Sequence, residues 1–170
     1  MSQPKRILIV DDEAHIVQVL MLKLRNAGFG VMSASDGEEG LEVALKERPD
    51  LIITDFQMPY MTGLELCRAL AEHETTCAIP VVMLTARGYA MDAEDLAISS
   101  GSSQRGGQPL IREVLTKPFS PRAIVDQIQR ILNGEAGLVH GVESTTADAV
   151  AAEPSLGYTG RMPVPPTEVV

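Results

Sequence analysis

Two hydrophobic patterns take turns along this chain. Short β-prone runs stand at RILIV (6–10), GVMSA (30–34), LIIT (51–54), VVML (81–84) and REVLT (112–116) and read as strands. Between them the apolar residues recur at helical spacing. The expected helices are Glu13 to Ala27, Gly37 to Glu47, Gly63 to His73, Met91 to Ser99 and Ser120 to Leu132. In the first, Ile16, Val19, Leu20 and Leu24 share a stripe, and Gly28 ends it. Asp36 is placed to cap the second, whose Leu41, Ala44 and Leu45 share a face, and Pro49 separates it from the third strand. Ser120 as N-cap and Pro121 at the first helical position open the last.

Strands that are continuous apolar runs are buried on both faces. Five of them interleaved with helices predict an α/β fold, a doubly wound five-stranded parallel sheet with helices on each side. Such sheets carry their functional residues beyond the carboxyl ends of the strands. At those ends stand Asp11-Asp12-Glu13 after the first strand, Asp55 after the third, Thr85-Ala86 after the fourth and Lys117-Pro118 after the fifth.

An aspartate at the mouth of a buried strand is costly unless something compensates it. Carboxylates gathered at one edge repel one another and resist ionisation. Mg²⁺ suits such a cluster, since it takes hard oxygen ligands and is commonly held by one or two carboxylates plus waters and phosphate. With Mg²⁺ and Lys117 as neutralising charges, Asp55 can act as a nucleophile toward a phosphoryl donor, forming an aspartyl-phosphate. Such a transfer needs positioning and charge neutralisation. Mg²⁺ would meet one phosphoryl oxygen, Lys117 another, and the Thr85 hydroxyl with backbone N–H groups the third.

Composition narrows the field. The chain has 170 residues and a net charge of −9. Residues 1–132 hold 13 Lys/Arg against 18 Asp/Glu, and residues 133–170 hold 1 against 5. No basic stripe exists, so nucleic-acid binding is not expected. No apolar stretch is long enough for a membrane span, and the start MSQPKRILIVDDE does not read as a signal peptide. Cys67 and Cys77 make neither a disulfide framework nor a metal-spaced pair, which fits a reducing cytoplasm. His15, His73 and His140 pair with no nucleophile, and Met58, Met61 and Met83 read as packing residues.

Taken together, VDDE (10–13), TDFQMPYMTG (54–63), VVMLTARG (81–88) and LTKPF (115–119) resemble the receiver domain of bacterial two-component response regulators. The resemblance covers about residues 5–132. It implies a flavodoxin-like (βα)5 domain with strand order 2-1-3-4-5. By this resemblance Asp55 is the phosphoacceptor. Asp12 and Asp55 are direct Mg²⁺ ligands, Asp11 is a water-mediated one, and the backbone carbonyl of Gln57 completes the protein's share. Thr85 is the switch hydroxyl, Lys117 the phosphate-contacting lysine and Pro118 the cis-proline after it. Gln57 and Arg87 flank the phosphoryl site at positions where the family tunes dephosphorylation, and their long side chains suggest a slow loss of phosphoryl. The donor implied is the phosphohistidine of a sensor histidine kinase or phosphotransfer protein. The chain would catalyse only its own phosphorylation and dephosphorylation.

Two departures from the family pattern stand out. Val114 occupies the place of the usual Tyr or Phe and has no ring to swing, which predicts a weak switch or an output read through loop shifts. The spacing from Thr85 to Lys117 is longer than usual. Deleting Gly101 to Leu110 would restore it, so an exposed, flexible insertion is expected at about 100–111. It is either neutral or a changed partner surface. Residues 133–170 lack any lasting period and are expected to be a disordered acidic tail, making this a stand-alone receiver.

Four functions compete: a phosphorylation-switched signalling module, a phosphorelay intermediate or phosphate sink, a Mg²⁺-dependent phosphotransferase on small substrates, and a phosphorylation-independent adaptor. The third is disfavoured because Gln57 stands where dehalogenase-type enzymes place a second aspartate. The output protein is unknown, and monomer and homodimer both remain open.

Overall fold

The structure is a computed structural model and describes residues 3–86 and 110–135. The expected helix Met91 to Ser99, Arg87, most of the insertion and nearly all of the tail lie outside the described residues. Elements run β1 (Arg6–Val10), α1 (Ala14–Asn26), β2 (Gly30–Ala34), α2 (Gly37–Glu47), β3 (Leu51–Asp55), α3 (Gly63–Glu72), β4 (Val81–Ala86), β5 (Ile111–Lys117) and α4 (Pro121–Leu132). All strand pairs are parallel, in the order β2-β1-β3-β4-β5. The α/β doubly wound sheet and its order are therefore as the sequence and the resemblance implied.

The unbroken apolar runs explain the layering. Alternate residues of one strand feed opposite cores. Leu8 and Ile52 join Ala44, Leu66 and Leu70 on the face of α2 and α3. Ile7, Ile9, Leu51 and Ile53 join Leu20, Leu24, Ile124 and Ile128 on the face of α1 and α4. Each such Leu or Ile, fully buried, contributes about 1.5–3 kcal/mol. The Cys67 thiol lies in the first core, where burial pushes its pKa up to about 12.

Observed strands outrun the expected ones at their polar ends. Asp55 belongs to β3, Thr85 and Ala86 to β4, and Lys117 to β5. Parallel pairing, invisible to hydropathy, carries the backbone past the last apolar residue.

The amino side of β5 corrects the expected insertion. Leu110 and Ile111 are buried core residues, and Ile111 pairs with Val81. The pairing then slips, so that Val82 meets Glu113 and Met83 meets Val114. One extra residue, Arg112, thus bulges from the ladder. A regular strand would set Ile111 and Glu113 on one face. The bulge instead brings Ile111 and Val114 to the α2/α3 core, while the Glu113 carboxylate accepts a hydrogen bond from Gln127 Nε2 of α4 at 2.8 Å.

The Thr62–Glu65 capping box opens α3. The Asp36 side chain accepts from the Glu39 N–H at the start of α2, as expected. Ser120 does stand at the N-cap of α4, but its side chain makes no capping bond there.

Candidate functional site

The sheet register sets the site. Val10 pairs with Thr54, so Asp11 leaves β1 beside Asp55 at the end of β3. Ala86 pairs with Lys117, which puts the lysine one strand further out. From β5 to β3 is two interstrand spacings, roughly 10 Å. A long side chain is needed to cross β4, and the lysine stem crosses it.

Lys117 Nζ lies 2.8 Å from Asp55 Oδ1, 2.8 Å from Glu13 Oε1 and 3.3 Å from Asp11 Oδ2. Side-chain exposure is 0% for Asp11 and 9% for Asp55, against 46% for Glu13. Burial alone would lower the lysine pKa. Hydrogen bonds to Asp55 and Glu13, with the charges of Asp11 and Asp55, outweigh it and raise the lysine above its ordinary value. Asp11 titrates above the usual range because it is buried, against the pull of the Glu13 N–H and of Lys117. The hydrogen bond from Lys117 holds Glu13 below its usual value.

Backbone groups steady the acids. The Gln57 N–H donates to Asp55 Oδ2 at 3.0 Å, and the Glu13 N–H to Asp11 Oδ1 at 2.8 Å. Gly63 is required here: a Cβ on it would collide with the backbone carbonyl oxygen of Asp55, so α3 begins flush against the strand that carries the acid. Just before α3, Pro59 and Tyr60 turn the chain, with Tyr60 at φ 66° and 89% exposed.

Asp12, Glu13, Asp55, Gln57, Ala86 and Lys117 line a cleft of about 210 Å³. The structure thus brings together Asp12, Asp55, Gln57 and Lys117, with Asp11 directly behind. Lys117-Pro118 is a cis peptide bond. Thr85 stands apart from the cleft lining: it is buried, and its hydroxyl donates to the Ala86 carbonyl at 3.4 Å. Val114 is half-buried against the α2/α3 core. Met58 and Met83 are buried in that core, as packing residues. Arg87 lies outside the described residues. Glu13 stands in the same acidic run with nothing in its spacing to mark it; only its contact with Lys117 separates it from a helix-capping acid.

Among the described residues, no group of three or more His, Cys, Asp or Glu side chains could hold a metal ion. Mg²⁺ does not require one, because one or two carboxylates, a carbonyl and waters suffice. Asp12, Asp55 and Gln57 all line the cleft, and their oxygens fit that kind of site.

A second hollow of about 430 Å³ lies beside α1 and the carboxyl ends of β1 and β2, lined among others by Asp12, Val17, Met21, Ala34, Ser35 and Glu39. Among the described residues no helix is long and apolar enough to cross a membrane.

Known proteins resemble this chain in sequence and fold. The pattern that defines the response regulator receiver domain matches residues 7–129. The alkaline phosphatase synthesis transcriptional regulatory protein PhoP of Bacillus subtilis is 38% identical over 128 residues, 75% of this chain and 48% of the relative. The phosphate regulon transcriptional regulatory protein PhoB of Pseudomonas aeruginosa is also 38% identical over 128 residues, 75% of this chain and 52% of its own. The chain thus spans about half the length of these relatives. Among solved structures, the chemotaxis protein CheY4 of Vibrio cholerae superposes with a TM-score of 0.60 at 31% identity, covering 75% of this chain and 98% of that one.

Proposed function

This chain belongs to the response regulator receiver domain family, and from that premise we propose that Asp55 accepts a phosphoryl group from the phosphohistidine of a sensor kinase or phosphotransfer protein. The modified domain then controls a separate protein by contact. An Asp55 carboxylate oxygen attacks phosphorus. The bond from phosphorus to the histidine nitrogen breaks, its electron pair stays on the imidazole, and that nitrogen takes up a proton.

The chain's own residues prepare this step. The Gln57 N–H and Lys117 hold the two carboxylate oxygens of Asp55 in fixed directions. The Lys117 ammonium offsets the negative charge that gathers on the transferring group, a contribution of the kind that preorganised charges make in phosphoryl transfer. Asp12, Asp55 and the Gln57 carbonyl would hold Mg²⁺, with Asp11 reaching it through water. When bound, Mg²⁺ supplies a second positive charge against the phosphoryl oxygens. Gln57 and Arg87 are placed in the family pattern to slow hydrolysis.

The observation that carries the reading is the convergence of Asp12, Asp55, Gln57 and Lys117, from three different strand ends, on one cleft. The proposed partners are proteins and the proposed compartment is the cytoplasm. The acid surplus argues against nucleic acid as a partner of this domain. What the names of PhoP and PhoB say of transcription belongs to those proteins.

Intact mass after incubation with acetyl phosphate and Mg²⁺ tests the proposal. A gain of about 80 Da in the wild type and none in Asp55→Ala is expected for a single aspartyl-phosphate. No gain in the wild type would leave the phosphorylation-independent adaptor as the better account.

A further inference from the structure

Among the described residues Lys117 has three carboxylate partners, and two of them have other work in the proposed site. Asp55 takes the phosphoryl group, and Asp11 would reach Mg²⁺ through water. Glu13 has no such task. It is the N-cap residue of α1, yet its side chain makes no capping bond. It turns into the cleft, where Oε1 meets Lys117 Nζ at 2.8 Å and Oε2 lies 3.7 Å from His15 Nε2. Of the three acids on Lys117 it has by far the most exposed side chain. Moving it away therefore needs no opening of the core.

We infer that Glu13 is a positioning residue, a latch that occupies Lys117 in the resting domain and competes with the incoming phosphoryl group for it. This rests on the phosphoryl-transfer reading of the same cleft. A tetrahedral group on Asp55 needs the ammonium that Glu13 holds. The two anions cannot both keep close contact with one small cation unless each weakens the other. Glu13 also adds a negative charge to the wall past which an anionic donor must travel, and like charges oppose that approach. The latch thus keeps basal modification by small anionic donors low.

The test compares wild type, Glu13→Gln and Glu13→Asp in the full chain. Three quantities are read: the rate of mass gain with acetyl phosphate and Mg²⁺, the affinity for trifluoroberyllate (a tetrahedral phosphoryl mimic) at saturating Mg²⁺, and the affinity for Mg²⁺ alone. Glu13→Gln keeps the shape and removes the charge, and no helix-capping bond is lost, so the fold is retained. The latch predicts that Glu13→Gln is modified about two- to fivefold faster and binds the mimic tighter by a similar factor, the size expected for releasing one partly exposed ion pair. Mg²⁺ affinity should stay level or fall slightly. A simple structural role would move neither rate nor mimic affinity. A part in holding the metal would weaken Mg²⁺ and mimic binding together. Either result overturns the latch while wild-type modification still upholds the phosphoryl-transfer reading.

Glu13→Asp keeps the charge but withdraws it by one methylene. If contact with Lys117 matters, it behaves like Glu13→Gln. Behaviour like wild type would show that only the field at the cleft matters, and would overturn the latch. A wild type that gains no phosphoryl overturns the function and the latch together.

Discussion

Strand β1 has an ion-pair network at each end, and the two are built differently. At the amino end, Lys5 Nζ meets Asp50 at 2.8 Å, the Arg6 N–H donates to Asp50 at 2.8 Å, and the Arg6 guanidinium meets Glu47 at 3.5 Å and donates to the carbonyls of Glu47 and Arg48. Two cations face two acids, largely in solvent. At the carboxyl end, Lys117 is the one cation among the described residues that faces Asp11, Glu13 and Asp55, and Asp12 lines the same cleft. The balanced end acts as a staple between β1 and the entry to β3. Among the described residues, the surplus of acids at the other end is not matched by cations. It leaves negative charge that a cation and a phosphoryl group can use.

Two acids that each accept a backbone N–H, Asp50 and Asp11, show the difference. Burial alone would raise the Asp50 pKa, but the Arg6 N–H and the Lys5 charge outweigh it, and Asp50 ends below its ordinary value. For Asp11 burial prevails and the shift is upward. Asp50 therefore adds stability that is present above pH 3.8 and fades as pH falls through its lowered folded value. Asp11 does the reverse: its cost sets in as pH rises from 3.8 through its raised folded value and persists above it.

Substitutions at both ends sharpen this contrast. The largest effect is expected from Gly63→Ala, because its Cβ would drive into the Asp55 carbonyl, a backbone atom that cannot step aside. A loss of about 3 kcal/mol in urea unfolding is expected, together with impaired phosphorylation. At the other end, a Cβ on Gly30 would meet the flexible Arg6 Cγ at 3.4 Å. Gly30→Ala should change stability by less than about 0.5 kcal/mol. Similar losses in both variants would erase the contrast.

Next comes Lys117→Met, expected to slow phosphoryl uptake from acetyl phosphate by about 10²-fold in the mass assay. The folded lysine sits above its ordinary 10.5, so its stabilisation is complete below that pH and is lost as pH rises beyond it. The wild type should therefore lose stability above about pH 10 more steeply than Lys117→Met, as read by unfolding free energy against pH.

Smaller still is a pair of identical changes with opposite signs. In metal-free buffer at pH 7, Asp50→Asn should destabilise by about 1 kcal/mol through weakened hydrogen bonds. Asp11→Asn should stabilise by about 1 kcal/mol by removing a buried charge. Two changes of the same sign in thermal unfolding would show that the acid surplus has no bearing on stability.

Much of this could be read from the chain alone. The run LIITD is buried along its whole length, as a two-faced strand must be, and its acid stands at the edge that parallel α/β sheets use. The helix stops at Gly28 and the cap at Asp36 follow from local chemistry. Less legible was the start of β5. A polar, glycine-rich stretch runs directly into Leu110 and Ile111, and nothing in composition tells a loop's last residue from a strand's first. The bulge at Arg112 was equally hidden, since it shifts the two-residue period on which strand reading depends.

The sequence by itself determined which segments pair with water and which with one another. Apolar runs, caps and breakers act within a few residues, and their free energies are local. It also placed an acid, a hydroxyl and an amine at successive strand ends. Only the tertiary structure decided which of them meet. Lys117 reaches across β4 to Asp55 and is shared with Glu13, while the Thr85 hydroxyl turns to its neighbour's carbonyl. Those outcomes depend on strand register and on distances between residues far apart in the chain. Coulombic and hydrogen-bond energies change over a few ångströms, a resolution that spacing along the sequence does not carry.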